Sequence, residues 1–141
     1  AEVQVFGAEG TNLALGGRAK QSSTLDGAVA ERAIDGRTDG NPERQSVSVT
    51  AAEENPWWEL DLGSAQLLSR IVVWGRTGAE PTTAGLRLTL LDEQHAGDHR
   101  ARRARPPRAA SPRPVRWEVS RPVRQRLKQL LRCRLQVPLE P

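Results

Sequence analysis

The sequence predicts an all-β fold, an antiparallel sandwich with one short helix, and three observations carry that expectation. In NPWWELDLG, from Asn55 to Gly63, Trp58, Leu60 and Leu62 fall on one face and Trp57, Glu59 and Asp61 on the other. Side chains alternate across a strand, so this is the period of a half-buried one. SRIVVWG follows at once, with Ile71 and Val73 on one face and Val72 and Trp74 on the other, so both of its sides call for cover. Up to Asp92 the alternating segments are separated by loops rich in Gly, Pro, Asp and Asn, with a single short helical stretch among them. That order favours antiparallel strands over βαβ units.

AEVQVF, from Ala1 to Phe6, alternates Val3 and Val5 against Glu2 and Gln4 and reads as a short strand closed by Gly7. NLALGGRAKQSST, from Asn12 to Thr24, mixes apolar pairs with Gly and polar residues and is irregular with brief extended pieces. In AVAERAID, Ala30, Ala33 and Ile34 recur at helical spacing, with Asp26 as the cap and Gly36 at the left-handed C-terminal position. One to two helical turns are expected there. DGRTDGNPERQ, from Asp35 to Gln45, is loop chemistry, because Asp and Asn side chains accept hydrogen bonds from their own following backbone. SVSVT, residues 46–50, predicts a short strand, and Gly75 to Gly85 a loop. In LRLTLLD, Leu86, Leu88 and Leu90 alternate with Arg87 and Thr89, a strand with one wet face.

Beyond Asp92 the material changes. HAGDHRARRARPPRAASPRP, dense in Arg and Pro, reads as linker or disorder. VRWEVS recovers alternation through Val115, Trp117 and Val119, one more strand. RQRLKQLLRCRLQV places Leu127, Leu130, Leu131 and Arg134 at helical spacing between Pro122 and Pro138, a basic amphipathic helix in a poorly ordered tail.

Composition bounds function as well as fold. The 141 residues have room for one domain with a core. No apolar run reaches the roughly 20 residues of a bilayer span, and no basic-then-apolar leader opens the chain. A first residue of Ala and the absence of Met suggest a piece of something longer. Cys133 is the only cysteine, which excludes an internal disulfide. The net charge of +4 divides unevenly, −4 over residues 1–91 and +8 over residues 92–141. That basic end admits phosphate or nucleic-acid attraction, but Trp117 alone gives little aromatic interleaving, and solvated charge explains it as well. His95 and His99 stand four apart beside Asp98, yet Gly97 and the Arg around them oppose both a helix and a bound cation. With no nucleophile elbow and no phosphate loop, the chain is not read as an enzyme.

NLALGGRAKQSST, AERAIDGRTDGN, NPWWELDLGSAQLLSRIVVWGRTG and LRLTLLD, in that order, resemble the discoidin (coagulation-factor C-type) family, fucolectin-like branch, from about Asn12 to Asp92. AEVQVF resembles the closing strand of such a domain, either the tail of a preceding repeat or the strand that completes this chain's own sheet. The resemblance implies an eight-stranded jelly-roll-like sandwich of the galactose-binding-domain kind, with a sugar site in the rim loops and a structural calcium ion. On it, residues 1–7 form the closing strand, 10–121 the carbohydrate-binding domain with 93–114 as a basic insertion, and 122–141 a basic tail. It further implies a non-enzymatic glycan- or polysaccharide-binding module of a larger extracellular or cell-surface protein, with other domains of that protein as partners. A structural or adhesive module with a degenerate sugar site is the alternative.

The implied calcium ligands are the side chain of Asp35, the carbonyls of Arg32 and Arg37, the hydroxyl or carbonyl of Ser46, and Ala1 with Glu2 from the closing strand. Taken without the resemblance, Asp35 and Asp39 are Asx-turn residues of a solvated loop. The implied sugar ligands fare differently. Where family members carry a His before the Trp-Trp motif this chain has Val49, the first of two rim Arg is Arg76, and the second falls near Thr82. Missing donors remove discrimination steeply, so fucose specificity does not carry over. Trp57 either stacks on a sugar ring or packs against neighbouring strands, and burial favours packing.

Overall fold

The computed structural model describes residues 2–77, 86–92, 102–103, 115–118 and 130–136. Among these lie eight strands, β1 (Glu2–Gly7), β2 (Arg18–Gln21), β3 (Trp57–Gln66), β4 (Leu68–Trp74), β5 (Arg87–Asp92), β6 (Arg102–Arg103), β7 (Val115–Glu118) and β8 (Leu130–Gln136). One sheet runs β1-β4-β7-β6 and the other β2-β3-β8-β5, with antiparallel neighbours throughout. The expected all-β antiparallel sandwich is therefore the observed one.

The inward faces follow the alternation of the sequence. Val3 and Val5 of β1, Trp58 and Leu60 of β3, Ile71 and Val73 of β4, and Leu88 and Leu90 of β5 are buried in one cluster with Leu135 of β8. Leu62 and Leu86 pack partly buried against it. Each fully buried aliphatic side chain contributes about 1.5–3 kcal/mol relative to exposure, so the fold rests on these facing residues. Val72, on the other side of β4, is also buried, as two-sided cover requires.

β1 pairs with β4 in this chain, Val3 opposite Val73 and Val5 opposite Ile71. Its far edge is partly occupied from within the chain: the Val5 amide donates to Asn12 Oδ1 at 3.1 Å and the Gly7 amide to the Thr11 carbonyl at 3.0 Å. Asn12 Oδ1 also accepts from the Ala14 amide at 3.2 Å, capping the 3-10 turn Leu13–Gly16. Such cover blunts a sheet edge that would otherwise template another strand.

Four local expectations are corrected. The short helix is a single 3-10 turn, Ala30–Ala33, and its cap is Val29, which makes no side-chain cap bond. Asp26 instead takes φ 49° beside Gly27 in a turn. The turn is held by the core, through Ala30 and Ala33 beneath it and through the buried Trp58 indole, whose Nε1 donates to the Ala30 carbonyl at 3.1 Å. SVSVT is no strand; its backbone bonds go to a loop, the Val49 amide to Ala28 and the Leu25 amide to Val49, at 3.1 and 3.0 Å. Within the expected linker, β6 pairs with β7.

The fourth correction is the largest. Leu130–Gln136, read as part of a helix, is a strand between β3 and β5, with Leu135 opposite Trp58 and Leu88. Leu131, Cys133 and Leu135 also recur at period two, and pairing on both edges decides between the two periods. Arg134 fits the strand because Glu59 of β3 receives its guanidinium, Nε and Nη2 lying 3.0 and 2.9 Å from Oε2. The rest of the anticipated tail and linker lies outside the described residues.

Candidate functional site

A cavity of about 420 Å³ opens at the end of the sandwich where β1 begins and β4 ends. Val49 and Arg76, two of the three implied sugar ligands, both line it. The third, Thr82, lies outside the described residues. Trp57, Trp58 and Trp74 contribute to the wall, so the tryptophan-bearing strands shape the cavity as well as the core. Arg76 is exposed and has no hydrogen-bond or ion-pair partner among the described residues. A guanidinium free at a cavity mouth presents a planar fork of donors suited to hydroxyl or anionic oxygens.

Trp57 is half-buried, and the Arg134 guanidinium stands 4.6 Å from its ring centroid. One indole face is therefore covered by a cation that Glu59 holds in place. This is the packing role expected of Trp57, and it leaves the ring's other contacts to the cavity side.

Of the implied calcium residues, Glu2 lines that cavity, and the turn of Asp35 and Gly36 lies against it. Glu2 is opposite Trp74 in the β1–β4 register and is wholly buried. Its Oε1 accepts from the Gly36 amide at 3.1 Å, while Oε2 is buried without a hydrogen-bond partner. Burial pushes the Glu2 carboxyl up to about 7; the Gly36 amide opposes that shift and the neighbouring Asp35 carboxylate adds to it. An alternating strand suggests that Glu2 faces water, but the 35–36 turn closes over this end of β1 and removes it from solvent.

Asp35 and Asp39 both make the Asx turns expected of the loop, Asp35 Oδ1 accepting from the Arg37 amide at 2.9 Å and Asp39 Oδ1 from the Asn41 amide at 3.2 Å. Asp39 is tied further, by the buried Ser46 hydroxyl and by Arg44 at 3.6 Å. The Ser46 hydrogen bond, then the Asn41 amide, hold its carboxyl below the usual range. Ser46 Oγ, a candidate ligand, is thus committed to Asp39 and lies 3.1 Å from the Asn41 carbonyl. Ala1 lies outside the described residues.

No motif announces the contact that joins these two regions. Gly40, at φ +61°, lies so close to the residue that follows β4 that a Cβ there would meet the Gly75 carbonyl oxygen at 2.5 Å. The Thr77 amide donates to the Gly40 carbonyl at 2.9 Å, and the Thr77 hydroxyl bonds the Asp39 carbonyl. The acidic loop is thereby bonded to Thr77 and packed against Gly75, the two neighbours of Arg76. The only advance sign was the Asp-Gly pair in DGRTDGN, which marks a turn but not what the turn touches.

A family model described as NedA-like, galactose-binding domain matches residues 32–102. The fucolectin of Anguilla anguilla is 33% identical over 70 residues, 46% of this chain and 44% of its own. Fucolectin-3 of Anguilla japonica is 39% identical over 70 residues, 46% of this chain and 38% of its own. The chain thus spans less than half the length of the curated relatives it matches. A fucolectin from Morone saxatilis (striped bass) serum superposes with a TM-score of 0.71 at 26% identity, over 92% of this chain and 42% of that one. The lectin domain of lectinolysin complexed with Lewis B antigen gives a TM-score of 0.72 at 23% identity, over 92% and 87%, a likeness of fold.

Proposed function

The chain belongs to the NedA-like, galactose-binding domain family, and on that premise we propose that it is a non-enzymatic, calcium-supported glycan-binding module of a larger extracellular or cell-surface protein. One observation carries the reading: Arg76, exposed and unpartnered among the described residues, at the mouth of a cavity of about 420 Å³ walled by three Trp. In it, Arg76 donates to sugar oxygens at the rim and Val49 supplies an apolar contact; Thr82, outside the described residues, is the counterpart in sequence of a second rim donor. Fold alone does not choose the sugar.

Calcium fits the residues by one test, the orphaned Oε2 of Glu2, a buried anionic oxygen that lacks a donor. No group of three His, Cys, Asp or Glu side chains is clustered among the described residues. An ion here would therefore need backbone carbonyls beside its carboxylates, ligands that calcium accepts and zinc does not favour. Glu2 and Asp35 would supply the charge, with oxygens of Ala1, Arg32, Arg37 and Ser46 completing the shell. The ion would stiffen the acidic loop, and the Gly40–Thr77 contact would pass that stiffness to Arg76.

Glycan-array binding with calcium and with chelator tests both parts. Binding to defined sugars that weakens on chelation is the expected result. A blank array in both conditions refutes the lectin reading and leaves a structural or adhesive module.

A further inference from the structure

Resting on the glycan reading above, we propose that this cavity takes a glycoside bearing an apolar aryl or alkyl group, which enters the cavity while the sugar hydroxyls remain at the mouth with Arg76. The hydrogen-bonding capacity of the wall carries this. Trp58 Nε1 already donates to the Ala30 carbonyl and Trp74 Nε1 to Gln4 Oε1, at 3.1 and 3.0 Å. Gln21 Nε2 is shared among Thr24 Oγ1 and the carbonyls of Ala28 and Val49, at 3.0, 3.0 and 3.2 Å. The side chains of Ser48 and Thr50, Trp57 Nε1 and the exposed Arg76 have no hydrogen-bond partner among the described residues, and the orphaned Oε2 of Glu2 is the oxygen given to calcium above. Val47, Val73, Leu86 and Leu135 line the remainder.

A sugar ring sunk against Val47, Val73, Leu86 and Leu135 would leave the hydroxyls that face them unpaired, each costing roughly five- to hundredfold in affinity. An apolar group meets no such penalty. Size agrees: an apolar cavity of about 150 Å³ holds benzene, so about 420 Å³ admits an aromatic ring together with part of an attached sugar. Val49 brings no side-chain donor to the wall.

The test compares methyl and phenyl glycosides of β-D-galactose and of α-L-fucose by tryptophan fluorescence titration and calorimetry, the three wall Trp serving as reporters. The phenyl member of a pair should bind at least tenfold more tightly than the methyl member. Val49→Phe, checked for folding by its melting curve, should bring that ratio close to one, and Arg76→Ala should weaken both members equally. Equal binding of both members in the unaltered chain overturns the inference and leaves the glycan reading standing. A ratio unchanged by Val49→Phe, or phenol alone binding as well as a phenyl glycoside, also overturns it. No binding by either pair, together with a blank array, removes the glycan reading itself.

Discussion

Replacing Glu2 by Gln converts a buried carboxyl into its uncharged isostere, and the size of the effect follows from the fold. The carboxyl titrates near 7 in the folded chain against 4.5 in water. Each pH unit of separation is worth about 1.4 kcal/mol, so the calcium-free fold carries about 3 kcal/mol of destabilisation once Glu2 ionises. The folded state holds this proton more tightly than the unfolded state does. Its stabilising contribution is therefore complete below about pH 4.5 and lost as the pH rises through 7. In chelator, Glu2→Gln should match the parent near pH 4 and exceed it near pH 8 by about 3 kcal/mol, roughly 10 °C in Tm for a chain of this length. Circular-dichroism melts of both proteins at several pH values measure the gap, and subtracting one curve from the other removes the titration of every other group. Calcium should close and then reverse the gap: at a thousand times Kd it adds about 4.1 kcal/mol to the parent and less to the variant. A gap that does not change with pH, or a parent more stable than Glu2→Gln at pH 8 in chelator, refutes the reasoning.

Gly40→Ala should lower Tm by several degrees and weaken glycan binding together, because the new Cβ meets the Gly75 carbonyl at 2.5 Å in a backbone conformation that already disfavours it. A loss of about 2 kcal/mol or more is expected, and unchanged melting and binding would mean the loop is not clamped there. Trp58→Phe keeps apolar bulk but leaves the Ala30 carbonyl without its donor. Urea unfolding should show a loss of about 1–3 kcal/mol, and a change under about 0.5 kcal/mol would show that water replaces the indole freely.

The strands that form the core were legible because their pattern and their environment agree: Trp58 with Leu60, Leu88 with Leu90, and Val3 with Val5 all alternate and all lie inward. Where two periods fit one segment, the sequence could not choose. Leu127, Leu130, Leu131 and Arg134 suggested a helix, whereas the edges of β3 and β5 supply partners for a strand. Glu2 and Gly40 are a different case. Their roles depend on segments more than thirty residues away, Gly36 over Glu2 and Gly75 with Thr77 against Gly40. Nothing local encodes such contacts. Val49 and Arg76 were placed at one rim by resemblance, and both line the cavity, but that two of its three indoles are already committed appears only once Ala30 and Gln4 are seen beside them.

The place of β8 between β3 and β5 also governs how the molecule assembles. Glu59 and Arg134, neighbours in the sheet, are 75 positions apart in the chain, so the second sheet closes only through distant pairings. Loop-closure entropy must be met before such pairings return anything, which puts this topology among the slow folders. Until Leu130–Gln136 docks, β3 and β5 each present an open edge, and the half-assembled sheet is the species most prone to associate with its own kind.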